Sequence, residues 1–149
     1  MTKVTVIGGG AWGTALAVAA SRAGNQVSLW AREPEVIEAV NSLHCNTVFL
    51  PDITLPDSIK AVASLEKAMD ADVILLSTPA QHLRAMCEQL QLIGCSAAIP
   101  LVICAKGIEI STGKFMSQVI ADLLPEHTIL VLTGPVSYTH LTLPTSPKV

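Results

Sequence analysis

Residues 3–14 read KVTVIGGGAWGT, a β-branched run that meets Gly8, Gly10 and Gly13 at the spacing G-x-G-x-x-G, and residues 15–20 favour a helix. A strand that passes through a glycine turn straight into a helix leaves few folds open. Gly8 permits the sharp reversal, Gly10 lets the backbone approach a pyrophosphate, and Gly13 lets the helix pack closely on the strand. Phosphates would sit on the helix N-terminus, where unpaired amides and the positive end of the helix dipole favour an anion. The pattern therefore points to dinucleotide binding. Glycine-rich turns also occur in plain loops, so the flanks have to decide. The first strand is apolar without polar alternation, as suits a strand buried on both faces of a parallel sheet. Gly24 stands where a C-terminal helix cap is expected, ahead of a second strand at 26–30.

In chain order, Pro34 is placed to open a helix that runs to about Asn41. The second strand closes with Trp30 and Ala31 and is followed by Arg32, where the usual NAD pattern has an acidic ribose partner. A 2′-phosphate suits Arg32 better; a solvated arginine pairing with Glu33 or Glu35 is the alternative. Residues 43–58 read as an irregular connection with at most a short strand, and a loop of that length is often functional. A short helix with Ser64 as N-cap follows, then apolar strands near 73–76, 101–104 and 129–132. Between them lie an amphipathic helix over 80–92 and a further helix over 112–123. Thr78 and Pro79 close one strand and Lys106 follows another, so all three are expected at the ligand crevice along the carboxyl ends of the sheet. For Lys106, a solvated lysine snorkelling from a strand end is the competing reading. Alternating strands and helices without internal repeats specify an α/β fold of the Rossmann type, a doubly wound parallel sheet with helices on both faces.

Composition bounds the partners. The 149 residues include 50% hydrophobic and only 14% charged, with net charge −3 and no basic cluster. That balance argues against nucleic acid or an anionic membrane as partner. It also leaves aliphatic surface that a neighbouring domain or a homo-oligomer would cover. The four cysteines (Cys45, Cys87, Cys95 and Cys104) form no C-x-x-C pair or zinc spacing, so free buried thiols are expected. The four histidines form no credible metal or triad set. No apolar stretch is long enough to span a bilayer, which leads to the expectation of a cytoplasmic protein.

Four segments together, GGGAWGTALA, LWAREPE, NTVFLPD and AKGIE, resemble the nucleotide-binding domain of bacterial NAD(P)-dependent glycerol-3-phosphate dehydrogenases, and LTGP at 132–135 continues the likeness. The resemblance implies hydride transfer between NAD(P)H and dihydroxyacetone phosphate or sn-glycerol 3-phosphate, a phosphorylated small molecule used in phospholipid synthesis. It implies that Ala11, Trp12 and Arg32 contact NADP or NAD, that Lys106 touches both cofactor and substrate, and that Gly134 touches the substrate. Other dehydrogenases of this fold, of the hydroxyacyl-CoA or 6-phosphogluconate type, would account for the glycines but not for AKGIE and NTVFLP together. A dinucleotide-binding module without catalysis is the alternative from another class. The likeness stops after Pro135. The all-helical domain that the family carries next, with its catalytic lysine, is therefore expected to be missing. The expected division is a dinucleotide-binding domain at 1–135 and a non-native, disordered tail at 136–149.

Overall fold

A computed structural model describes residues 1–132; Gly134 and the 136–149 segment lie outside the described residues. Among those described, six strands form one parallel sheet in the order β3 (Ile59–Val62), β2 (Gln26–Trp30), β1 (Lys3–Ile7), β4 (Val73–Leu76), β5 (Leu101–Ile103) and β6 (Ile129–Val131). β1 is central, with Val6 opposite Leu29 on one side and Leu75 on the other. Its neighbours in sequence and in space diverge there: the chain first builds outward through β2 and β3, then returns to β4 beside β1. That reversal leaves a crevice at the carboxyl ends of β1 and β4.

Strand side chains alternate between two apolar layers. Val4, Val6, Val27 and Leu29 join Ala17 of α1 (Ala11–Arg22) and Val36 of α2 (Pro34–Leu43). Ile7, Ile74, Leu76 and Leu101 point the other way, against Leu65 of α3 (Leu65–Ala68), Leu83 and Leu90 of α4 (Leu83–Leu92), and Val119 and Ile120 of α5 (Met116–Leu123). Both faces of the sheet are thus covered. Thr5 interrupts the apolar run of β1, and its hydroxyl is buried because it donates to the Ala68 carbonyl at 2.6 Å.

Three elements depart from the reading of the sequence. β3 was not expected: IKAV is short and carries an exposed lysine, and it becomes a strand because Ile59, Lys60 and Ala61 pair in register with β2. The helix expected over 80–92 begins as a 3₁₀ turn, Ala80–His82, before α4. The helix expected over 112–123 starts at Met116, because residues 109–114 close a turn of their own. In that turn the Gly113 N–H donates to the Glu109 carbonyl, Gly113 lies at φ 72°, and the Phe115 N–H is taken by the Gln118 side chain. Of the thiols, Cys87 and Cys104 are buried as expected, while Cys45 and Cys95 are half-exposed.

The junction of β1 and α1 fixes the crevice wall. Gly8 lies at φ +124°, a conformation that L side chains rarely adopt, and a Cβ on Gly13 would fall 1.9 Å from the Gly8 carbonyl oxygen. The obstacle is backbone and cannot rotate away. A Cβ on Gly10 would meet nothing within 4 Å, and Gly10 has an extended backbone (φ −76°, ψ −172°) open to any residue. In urea unfolding, Gly13→Ala is expected to lose about 3 kcal/mol by forced overpacking, whereas Gly10→Ala should stay within about 1 kcal/mol of the parent, the scale of an exchanged N-cap. Equal stabilities of the two variants would refute this account of the turn.

Candidate functional site

The crevice contains two cavities that share Trp12, Ser77, Thr78 and Pro79 in their walls. The larger, of about 590 Å³, follows the glycine turn from Gly8 to Gly13 and reaches Arg32 and Glu33 beyond β2. The smaller, of about 400 Å³, lies at the ends of β4 and β5 and is lined also by Cys104, Ala105 and Lys106. Gly8, Gly10, Ala11, Trp12, Gly13, Arg32, Thr78, Pro79 and Lys106 are therefore all brought to one continuous cleft.

Local chemistry explains how each wall is held. α1 opens at Gly10 with no side chain capping its end, so the first-turn amides are left to whatever enters the larger cavity. The Ser77 hydroxyl donates to the carbonyls of Ile7 and Gly8 at 3.0 and 3.2 Å, tying the end of β4 to the turn after β1. Trp12 donates its indole N–H to the Cys104 carbonyl at 3.3 Å and is 39% exposed, so its ring stands between the two cavities. Thr78 is 6% exposed, and its hydroxyl oxygen is buried without a hydrogen-bond partner among the described residues. A buried hydroxyl left unpaired is costly, and at a cavity wall it marks a place for a ligand atom.

The loop that carries Lys106 is anchored from behind. Glu109, buried, takes Arg84 of α4 in a two-point ion pair at 2.9 and 3.0 Å and the Thr112 hydroxyl at 2.6 Å. Arg84 and Lys114 also meet Asp122 of α5 at 3.1 and 2.7 Å. Gln81 grips the same loop at two backbone points, donating to the Ile108 carbonyl and accepting from the Ile110 N–H, both at 2.9 Å. The hydrogen-bonded Arg84 guanidinium, and after it Thr112, hold the Glu109 carboxyl below the usual carboxylate range; Lys114 and then Arg84 do the same for Asp122. Burial pushes the Cys104 thiol up to about 11, so the sulfur at the cavity wall stays protonated at neutral pH and is a poor nucleophile.

Several wall residues escaped the sequence reading. Gly9 packs so closely that a Cβ there would lie 2.7 Å from the Ala31 Cβ. Glu33 and Phe49 line the larger cavity, as does His82. From the sequence Glu33 is a candidate partner for Arg32, yet the two make no ion pair with each other among the described residues. Phe49 belongs to the long connection, where no periodicity marks an element. Among the described residues no group of three His, Cys, Asp or Glu side chains comes together as a metal site, and no helix is long and apolar enough to cross a membrane.

Comparison with known proteins agrees with this geometry. Residues 3–139 match the family model described as NAD-dependent glycerol-3-phosphate dehydrogenase N-terminus. The chain belongs to that family. It is 53% identical over 135 residues to the glycerol-3-phosphate dehydrogenase [NAD(P)+] of Paramagnetospirillum magneticum, covering 91% of this chain and 49% of that one. With the Caulobacter vibrioides enzyme of the same name it shares 52% over 133 residues, 89% of this chain and 40% of that one. Among solved structures, the glycerol-3-phosphate dehydrogenase of Saccharomyces cerevisiae superposes with a TM-score of 0.78 at 33% identity over 89% of this chain and 42% of that one. The Coxiella burnetii enzyme shares the fold, with a TM-score of 0.82 at 24% identity over 97% of this chain and 45% of that one. The chain thus spans less than half the length of these glycerol-3-phosphate dehydrogenases.

Because folding lowers the pKa of Glu109 and of Asp122, the network stabilises the loop above the unfolded carboxyl values of about 4, and this contribution is lost as pH falls through the lower folded values. Urea midpoints measured between about pH 5 and pH 2 should fall steeply in the parent and less steeply in Glu109→Gln. Parallel profiles would show that the ion pair does not link to folding.

Proposed function

We propose that this chain binds NADP(H) and NAD(H) along the larger cavity and forms the cofactor half of an enzyme that reduces dihydroxyacetone phosphate to sn-glycerol 3-phosphate. The observation that carries the reading is the continuity of the two cavities: an uncapped helix end with an open Gly10 faces one, Lys106 lines the other, and the orphaned Thr78 hydroxyl lies between. The family supports it, since relatives about half identical to the chain are named for this activity.

In this reading the amides at the start of α1, including those of Ala11 and Trp12, bind the pyrophosphate, and Gly8, Gly10 and Gly13 allow it to approach. Arg32 binds a 2′-phosphate through charge-assisted hydrogen bonds, while Glu33 beside it is placed to accept from ribose hydroxyls. Thr78 and Pro79 bound the cofactor toward its reactive end. A bound nicotinamide supplies the hydride. Lys106 sets a positive charge where the ketone oxygen becomes an alkoxide and where a phosphorylated substrate carries negative charge. Gly134, outside the described residues, would complete the substrate contact. The binding domain of this reading is 1–135, with a non-native tail at 136–149. Its setting is the cytoplasm, in glycerol 3-phosphate supply for phospholipids, and its exposed aliphatic surface suits a neighbouring domain or a homo-oligomer.

Two measurements test the reading. Titration of Arg32→Ala should show NADPH weakened about tenfold or more, as expected for a lost charge-assisted contact, with NADH within about twofold of the parent. Equal loss for both cofactors, or none, removes the phosphate role of Arg32. For the reaction, NADPH oxidation with dihydroxyacetone phosphate should be far slower than about 1 per second in the 149-residue chain. It should rise to enzyme rates when residues 1–135 are joined to the C-terminal half of the P. magneticum relative. In that chimaera Lys106→Ala should cut kcat/KM by about 30-fold or more, the scale of a lost transition-state charge contact. An unchanged kcat/KM would exclude Lys106 from the chemistry.

A further inference from the structure

Asn46 sits in the long 44–58 connection, 32 residues after Thr14, and is fully buried. Its side-chain amide spends both hydrogens on the glycine turn. One goes to the Gly9 carbonyl at 2.8 Å and the other to the Thr14 hydroxyl oxygen at 2.8 Å. The Thr14 hydroxyl, itself buried, passes its own hydrogen to the Gly10 carbonyl at 2.7 Å. The Asn46 Oδ1 accepts the Phe49 N–H at 3.1 Å, so the same side chain also fixes the loop that brings Phe49 to the larger cavity.

The consequence follows from peptide geometry. In a trans planar peptide the C=O and the following N–H point in opposite directions. Pinning the Gly9 and Gly10 carbonyls toward Asn46 and Thr14 therefore turns the Gly10 and Ala11 N–H groups the other way. The Gly10 carbonyl also accepts the Thr14 backbone N–H at 2.9 Å, so α1 itself helps to orient the Ala11 amide, whereas the Gly9 carbonyl is held by Asn46 and no side chain caps α1. We propose that Asn46, acting with Thr14, is the positioning residue that aims the Gly10 amide of the turn at a bound pyrophosphate. This rests on the dinucleotide reading above but concerns residues outside the glycine motif. An aspartate at 46 would keep the bond from the Phe49 N–H yet set an oxygen against the Gly9 carbonyl and draw the Thr14 hydroxyl hydrogen away from the Gly10 carbonyl, so the turn contacts are lost.

The test compares Asn46→Asp, Thr14→Val and Thr14→Ser in the 149-residue chain, with unfolding midpoints measured for each. NADPH is titrated beside adenosine 2′-monophosphate, which has the adenosine and the 2′-phosphate but no pyrophosphate. Asn46→Asp and Thr14→Val should weaken NADPH about tenfold or more, the effect of losing a buried hydrogen-bond partner, and should leave adenosine 2′-monophosphate within about twofold. Thr14→Ser, which keeps the hydroxyl, should restore NADPH binding. Equal loss for both ligands, or parental NADPH affinity in Asn46→Asp, overturns the proposal. If Asn46→Asp does not fold, Thr14→Val and Thr14→Ser carry the same comparison. A ligand-free arm separates the proposal from the reading it rests on: in ¹H–¹⁵N spectra of the apo chain, the Gly10 amide resonance should move in Asn46→Asp or Thr14→Val. If the parent binds no NADPH, the dinucleotide reading fails by itself, and an unmoved Gly10 resonance overturns the positioning role independently.

Discussion

The contact between α1 and the end of β1, possible only without a side chain at Gly13, is the constraint from which the rest of the site follows. With the Gly8 carbonyl 1.9 Å from where a Cβ would be, the helix can begin directly against the strand. Moving the helix outward to admit even a methyl group would carry its uncapped amides away from the crevice and open a gap over Val6 and Val18, which pack in one apolar layer. A fixed backbone distance here serves stability and ligand geometry together. That coincidence explains why glycine stands at a position where alanine would be the better helix former.

From that junction outward, the site is built from the carboxyl ends of neighbouring strands, and polar contacts tie its walls together. Ser77 binds β4 to the turn after β1, the Trp12 indole binds the start of α1 to the end of β5, and Asn46 binds the long connection to the glycine turn. All three reach backbone carbonyls, and Asn46 adds a second bond to the Thr14 hydroxyl. They orient peptide groups whatever side chains surround them. The loop with Lys106 is secured differently, by the ion pair of Glu109 with Arg84 and by Gln81 on two backbone atoms, because a loop leaving a short strand has no ladder of its own to hold it.

The apolar content of the chain is accommodated by the two layers on the sheet only in part. Leu130 and Val131 on β6 are 49% and 66% exposed, whereas the strands at the centre of the sheet are buried. β6 is the edge strand beside β5, and its other flank has no paired strand among the described residues.

The sequence by itself determined β1, β2 and β4, the helix start at Pro34 and the Ser64 cap of α3, because each rests on a local signal: a buried apolar run, a fixed φ, or a hydroxyl facing its own helix end. It also made the glycine turn, Arg32, Thr78 and Lys106 legible as crevice residues, since strand ends line the ligand side of any open parallel sheet. Tertiary structure decided what depends on partners distant in the chain. IKAV became β3 only by pairing with β2, and the start of α5 was displaced by the turn that the Glu109 backbone closes with Gly113 and Lys114, anchored by the Glu109 side chain on Arg84. Asn46 looked like one polar residue among several in an irregular loop. Its role came from burial against Gly9 and Thr14, because a buried amide must find partners for both of its hydrogens and only the folded chain brings them within reach.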